Sequence, residues 1–243
     1  MYLSLLMIDT GTNPDRPRPG RLWMRNIYRV HQRLCMGFPS KAQKENDPHF
    51  LQPYKPENYQ HVHGQRTEEQ AFLFRIDPLP AGRAMILVQS AARPDWDYAF
   101  QNAGYLLAAP PQINLYQPTF HEGQMLQFRL QANATRKINT KTKEDGCKSN
   151  GTRVPVPREK LSEWLKRKGE LAGFSLDEST LQTQTGYIAG YNDDAEPKRF
   201  FSVRYNGTLQ VTDAPRLYRA IVGGIGPAKG FGFGLLSVVP VKE

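Results

Sequence analysis

Cysteine is scarce in this chain of 243 residues: Cys35 and Cys147 are the only two. Two thiols so far apart in sequence build no disulfide framework, so a reducing, cytoplasmic setting is the expectation. Long apolar runs are also missing. No stretch approaches the roughly 20 apolar residues that a bilayer-spanning helix needs, and no membrane partner is expected. The opening residues, MYLSLLMID, are apolar but lack the basic segment and small-residue cleavage site of a signal peptide, so they read as a strand. No G-x-S-x-G elbow is present to seat a nucleophilic serine. His61 and His63, with His49 upstream, find no cysteine or carboxylate set to complete a metal site, so they read as polar loop. Asp193 and Asp194 follow Asn192 and read as a turn. No metal and no cofactor is expected.

Acidic residues are in deficit, with 23 Asp+Glu against 32 Lys+Arg and a formal net charge of +9. Such a surface attracts polyanions, although a merely soluble basic protein would look the same. Hydrophobic residues make up 39% of the chain, enough for a real core in one large domain or two smaller ones.

What the chain has in abundance is glycine near its end. Gly223, Gly224, Gly226, Gly230, Gly232 and Gly234 fall within twelve positions, with Lys229 among them. Glycine lets the backbone turn sharply and approach another molecule closely. A phosphate-binding P-loop would need Gly-Lys followed by Ser or Thr opening a helix; Lys229 is followed by Gly230, and a strand-like run comes next. A dinucleotide fingerprint would need a following helix and a later acidic residue, for which no chain remains. Lys229 to Phe233 matches the first half of an RNA-recognition strand motif, and the match then breaks at Gly234 and Leu236. A tight turn before a buried final strand fits the same residues.

Along the chain, Met1 to Asp9 reads as a strand. Leu22 to Phe38 reads as a helix, because Trp23, Ile27, Val30 and Leu34 recur at three and four residues. Residues 40–65 are polar and proline-punctuated, an insertion. Ala71 to Asp77 and Ala84 to Ser90 read as strands about a turn, a helix lies within Pro94 to Ala109, and Gln112 to Tyr116 closes the sheet. That order is βαββαβ, the ferredoxin-like pattern. The second half repeats it more loosely. Gln124 to Ala132 is a strand, Thr135 to Arg153 a basic excursion, and Pro157 to Gly169 a helix with Leu161, Trp164 and Leu165 as its apolar stripe. Phe200 to Val211 reads as a hairpin turning at Asn206 and Gly207. Asp213, Ala214 and Pro215 open a short helix through Val222, and Gly232 to Val241 is the last strand. The expected fold class is therefore α+β, two tandem ferredoxin-like domains over 1–118 and 119–243.

One constellation suits chemistry. Tyr28 and His31 are three residues apart on the first helix and share a face, with Arg25, Arg29 and Arg33 nearby. Cleaving an RNA phosphodiester requires the 2′-hydroxyl to lose a proton and the 5′-oxygen to gain one. Histidine titrates near neutrality and can do either, tyrosine can hydrogen-bond the reacting groups, and cations offset charge growing on phosphorus. A histidine on a helix serves equally as a structural residue.

These features together resemble a known family. The segments IYRVHQRLCMGFP, AFLFRID, FRLQANATRK, TRVPVPREKLSEWL and VTDAPRLYRAIVGGIGPAKGFGFGLLSVVPV, with the start MYLSLLMI, are similar to the CasE-type CRISPR repeat-processing endoribonucleases of type I-E Cascade complexes. The resemblance covers nearly the whole chain and is most specific at its end. It implies metal-independent cleavage at the 3′ base of a repeat stem-loop, leaving a cyclic phosphate and a 5′-hydroxyl. His31 would be the general acid or base and Tyr28 would assist. The implied partners are CRISPR repeat RNA and the other Cascade subunits; a carrier that holds processed RNA without cutting it is the alternative. Some members carry a lysine a few residues after the histidine. This chain has Leu34, Cys35 and Met36 there, which leaves the transition-state cation to Arg33 or Lys229. The Ala-Asn-Pro expected after the first strand of the second domain is Ala132, Asn133 and Ala134, a turn less rigid without its proline. For RNA contacts, Arg136 and Lys137 cluster with Lys141 and Lys143, and Lys198, Arg199 and Arg204 flank the expected hairpin. Gly226, Gly230 and Gly232 would let backbone approach the phosphates. A plain solvated face fits both basic clusters as well.

Overall fold

The computed structural model describes residues 1–12, 18–49, 71–138, 151–190 and 198–241. The chain divides into two compact units, both discontinuous in sequence. The first is Met1–Pro118 with Ala189–Lys198 and Gly230–Gly232; the second is Thr119–Ile188, Arg199–Lys229 and Phe233–Glu243.

In the first unit, β1 (Tyr2–Asp9) is followed by three short helices, α1 (Pro19–Met24), α2 (Ile27–Cys35) and α3 (Lys41–Asn46). Then come β2 (Phe72–Leu79), β3 (Arg83–Ser90), α4 (Trp96–Phe100), a 3₁₀ turn at Gly104–Leu106 and β4 (Gln112–Leu115). The sheet runs β2-β3-β1-β4, with β1 antiparallel to both β3 and β4. Two central strands that are neighbours in space but not in sequence mark the ferredoxin-like fold. Strand alternation sets the core. Leu6 and Ile8 of β1, Ile86 and Val88 of β3, and Phe74 of β2 are fully buried, and Ile27, Val30 and Leu34 of α2 are buried with them. Burying each such side chain contributes about 1.5–3 kcal/mol.

The single helix expected over Leu22 to Phe38 is two. Asn26 leaves helical geometry, and its Oδ1 accepts from Tyr28 N at 3.1 Å, so it ends α1 and caps α2. Within the expected insertion, Ser40 caps α3 through Gln43 N; residues 50–65 lie outside the described part.

The second unit holds β5 (Met125–Ala132), a two-stranded ribbon of β6 (Thr135–Ile138) and β7 (Thr152–Pro155), and a 3₁₀ turn leading into α5 (Leu161–Ala172). After these come β8 (Phe174–Gly190), β9 (Lys198–Val211), α6 (Ala214–Gly223) and β10 (Leu236–Pro240), of which Ala189 and Gly190 of β8 and Lys198 of β9 count with the first unit. Its sheet runs β10-β5-β9-β8, the same order as the first. The chain is thus α+β, two tandem ferredoxin-like folds, the second with a ribbon inserted after its first strand.

The expected hairpin turn at Asn206 and Gly207 is a correction. Both residues lie inside β9, opposite Arg129 and Phe128 of β5 in an unbroken register from Met125–Gln210 to Ala132–Val203. The buried side chains Phe201, Val203, Tyr205, Leu209 and Val211 keep one phase through that point, which a turn would have reversed. Gly207 is small because β8 runs close by: a Cβ there would stand 3.3 Å from the Thr180 carbonyl oxygen and the Leu181 Cα. The turn after β5 is also held more firmly than its sequence implied. Asn133 is buried and donates through Nδ2 to the Phe201 carbonyl at 2.7 Å.

Candidate active site

The site is built on α2. Its buried stripe is Ile27, Val30 and Leu34, and His31 borders that stripe, half-buried. Tyr28 lies one turn before His31 and Cys35 one turn after, so the three form a row along the helix. Behind the row stands β2. The His31 imidazole stacks on Phe72 at 5.5 Å between centroids and 28° between planes, and on Phe74 at 6.3 Å and 23°. Phe72 in turn stacks on Phe38 at 5.2 Å, which fixes the surface the imidazole leans on. On the histidine itself, Cys35 Sγ is 3.5 Å from Nε2.

The glycine-rich segment completes the first unit at this point. A Cβ on Gly230 would lie 3.6 Å from His31 Cε1 and 3.8 Å from Nε2. Gly232 takes a left-handed φ of +79°, and a Cβ there would meet Phe74 at 3.3 Å and Ile27 at 3.5 Å. Two residues far from α2 in sequence therefore pack on the imidazole and on the ring beneath it. Gly226 has a different task, lying against Trp164 of α5 with φ +87° and 3.4 Å of room. Gly234 folds the segment back, its N–H donating to Gln131 O at 2.8 Å and its carbonyl accepting from Ile225 N at 2.9 Å.

Arg33 is occupied elsewhere. Two residues past His31, it lies about 200° around the helix. Its Nη1 donates to Ala99 O at 2.8 Å and Asn102 Oδ1 at 2.9 Å, at the end of α4. Burial lowers its pKa, partly offset by Tyr105, as for a guanidinium enclosed in its own domain. Lys229 is exposed, with its Cγ 3.4 Å from the Cβ position of Gly234.

Arg136 and Lys137 are exposed on β6, and Lys141 and Lys143 lie outside the described residues, as do His61, His63, Asp193 and Asp194. Lys137 pairs directly with Arg153 of β7, which the sequence reading had not singled out. Lys198 and Arg199 are exposed at the start of β9; Arg204, half-buried, faces Gln131 across the ladder, with Nη2 3.4 Å from Oε1. Among the described residues no group of three or more His, Cys, Asp or Glu is placed to hold a metal ion, and no helix is long and apolar enough to cross a membrane. Sequence reasoning also passed over Phe72, Phe74 and Cys35 as neighbours of His31. Cys35 carried a signal, its four-residue spacing from the histidine; the phenylalanines did not.

Two ferredoxin-like folds in tandem, with a histidine-bearing helix under a glycine-rich segment, define the class of protein. Residues 1–240 match the family model described as CRISPR associated protein, and the chain belongs to that family. It is 31% identical over 182 residues, 70% of this chain and 81% of the other, to the CRISPR-associated endoribonuclease Cse3 of Thermus thermophilus. It is 29% identical over 244 residues to the CRISPR system Cascade subunit CasE of Escherichia coli K12, covering 99% of this chain and all (100%) of that one. Among solved structures, Thermus thermophilus Cse3 bound to an RNA representing a pre-cleavage complex is similar with a TM-score of 0.68 and 26% identity over 98% of both chains.

Proposed function

We propose that this protein is an endoribonuclease that cuts CRISPR precursor RNA at the 3′ base of the repeat stem-loop without a metal ion. The carrying observation is the half-buried His31 imidazole, braced by Phe72 and Phe74 and bordered by Gly230. In the proposed reaction the 2′-oxygen attacks the adjacent phosphorus as its proton leaves, the bond to the 5′-oxygen breaks, and that oxygen takes up a proton. A 2′,3′-cyclic phosphate and a 5′-hydroxyl result. His31 carries one of these protons as general acid or base, and Tyr28, on the same helix face, hydrogen-bonds the reacting groups. Gly230 sets no side chain against the imidazole, the side on which we place the approaching phosphate backbone. We assign the transition-state cation to Lys229, which is exposed and covalently next to Gly230, since Arg33 is committed to α4. Support for the substrate comes from the relatives: Cse3 is by name a CRISPR-associated endoribonuclease and binds RNA in its pre-cleavage complex, and CasE is by name a Cascade subunit. By the same reasoning we assign this chain a place among the other Cascade subunits.

The test is cleavage of a labelled repeat hairpin in EDTA, beside a copy with deoxyribose at the scissile nucleotide. The RNA is expected to be cut and the deoxy copy bound but uncut. His31→Ala is expected to bind the hairpin and lose at least about 100-fold in rate, the usual worth of a positioned acid or base. Cleavage by His31→Ala at the wild-type rate would sink the assignment. Binding of the RNA with no cleavage by the wild-type protein would instead favour a carrier that retains processed RNA.

A further inference from the structure

We propose that Cys35 is a positioning residue for His31, its thiol donating to Nε2 and so holding that nitrogen as the proton-accepting one. The inference rests on the reading of His31 as the group that moves a proton. Three observations carry it. Cys35 Sγ is 3.5 Å from His31 Nε2, within reach for a sulfur hydrogen bond, and the two residues share one helix face four positions apart. The ring cannot easily turn away, because Phe72 and Phe74 stack on it at 28° and 23°. Nδ1 of the same ring is buried, which leaves Nε2 as the nitrogen to meet a substrate.

The direction of the bond follows from the chemistry of the two groups. A neutral thiol carries one S–H that it can donate. The imidazole lone pair is a better acceptor than sulfur, which accepts only weakly. An S–H···Nε2 bond selects the tautomer with its proton on Nδ1, so Nε2 faces the substrate without one and is set to receive the 2′-hydroxyl proton. A thiol is also a weak donor, so Nε2 passes to the substrate at little cost.

The experiment compares full-length wild type, Cys35→Ser and Cys35→Ala. ¹⁵N chemical shifts of the neutral His31 ring, assigned by their loss in His31→Ala, report which nitrogen carries the proton. Wild type and Cys35→Ser are expected to show an unprotonated Nε2, and Cys35→Ala a shift toward a mixture. In single-turnover cleavage at saturating hairpin, Cys35→Ala is expected to lose about three- to tenfold in rate with half-saturation unchanged, and serine to restore it. Identical ring shifts in wild type and Cys35→Ala would overturn the proposal, whatever the rates. A rate loss that serine does not restore, or a matching fall in thermal stability, would also overturn it by making Cys35 a packing residue. If His31→Ala cut normally, the functional reading would fail while the ring shifts still decided the hydrogen bond.

Discussion

Gly230 and Gly232 are two residues apart and do different work. Gly232 is glycine for conformation: φ is +79°, and a Cβ would press on Phe74 at 3.3 Å. A left-handed backbone costs an L-residue about 1–2 kcal/mol, and the contact adds to it. Gly232→Ala is therefore expected to lower unfolding free energy by about 1–2 kcal/mol in urea denaturation; no loss would mean the segment relaxes around the new methyl. Gly230 is glycine for space. No left-handed φ constrains it, and a methyl would make ordinary contact with His31 at 3.6 Å. Gly230→Ala is expected to fold and cut nearly normally, whereas Gly230→Leu is expected to fold yet lose cleavage, because its larger side chain fills the room beside the imidazole. Equal rates for the alanine and leucine variants would show that substrate does not pass there.

Helix α2 carries Tyr28, His31 and Cys35, so its entry angle sets all three. Asn26 controls that entry: it is buried, and its Oδ1 takes Tyr28 N at 3.1 Å. Asn26→Ala removes the cap and is expected to cost about 1 kcal/mol of stability. Cleavage should fall more than that loss of folded protein accounts for, since the first turn that frays holds Tyr28. A thermal melt and a cleavage rate on the same sample decide it; a stability loss with the rate untouched would uncouple the cap from the site. The same helix shows what the sequence made legible. Ile27, Val30 and Leu34 announced a helix by their spacing, but Asn26 lay within that spacing, and its role as a cap depends on a backbone bend that periodicity does not register. Strand alternation showed β1, β2 and β3, whereas a turn dipeptide misplaced the hairpin. Asn206 and Gly207 have the local chemistry of a turn, and only the ladder to β5 holds them extended. β8 left no signal, because an edge strand so rich in exposed threonine, serine and glutamine has no apolar phase. His31 and Tyr28 were legible because helical neighbours are close in sequence. Phe72, Phe74 and Gly230 join them only through long-range packing.

For the whole molecule the governing quantity is a net charge of +9. Part of it stands where folding gains nothing from it: Lys137 and Arg153 are exposed and directly opposite each other on the β6–β7 ribbon. Like charges paired across strands are mildly destabilising, by up to about 1 kcal/mol. Arg153 Nη1 reaches Thr135 Oγ1 at 3.2 Å, which orients the guanidinium but does not neutralise it. Under the proposed function an RNA backbone supplies negative charge to this pair. Hairpin affinity should then fall steeply with salt, because each phosphate neutralised by a cation releases a counterion. Replacing Lys137 and Arg153 together with alanine is expected to weaken binding and to flatten the plot of log affinity against log salt by about one to two units. Thermal stability should hold or rise slightly, and the rate of the saturated complex should not change, since neither residue belongs to the His31 site. His31→Ala should do the reverse, leaving the salt slope intact while abolishing the rate. An unchanged slope in the double variant would make the ribbon a solvated face and move the search for phosphate contacts to Lys198, Arg199 and Arg204.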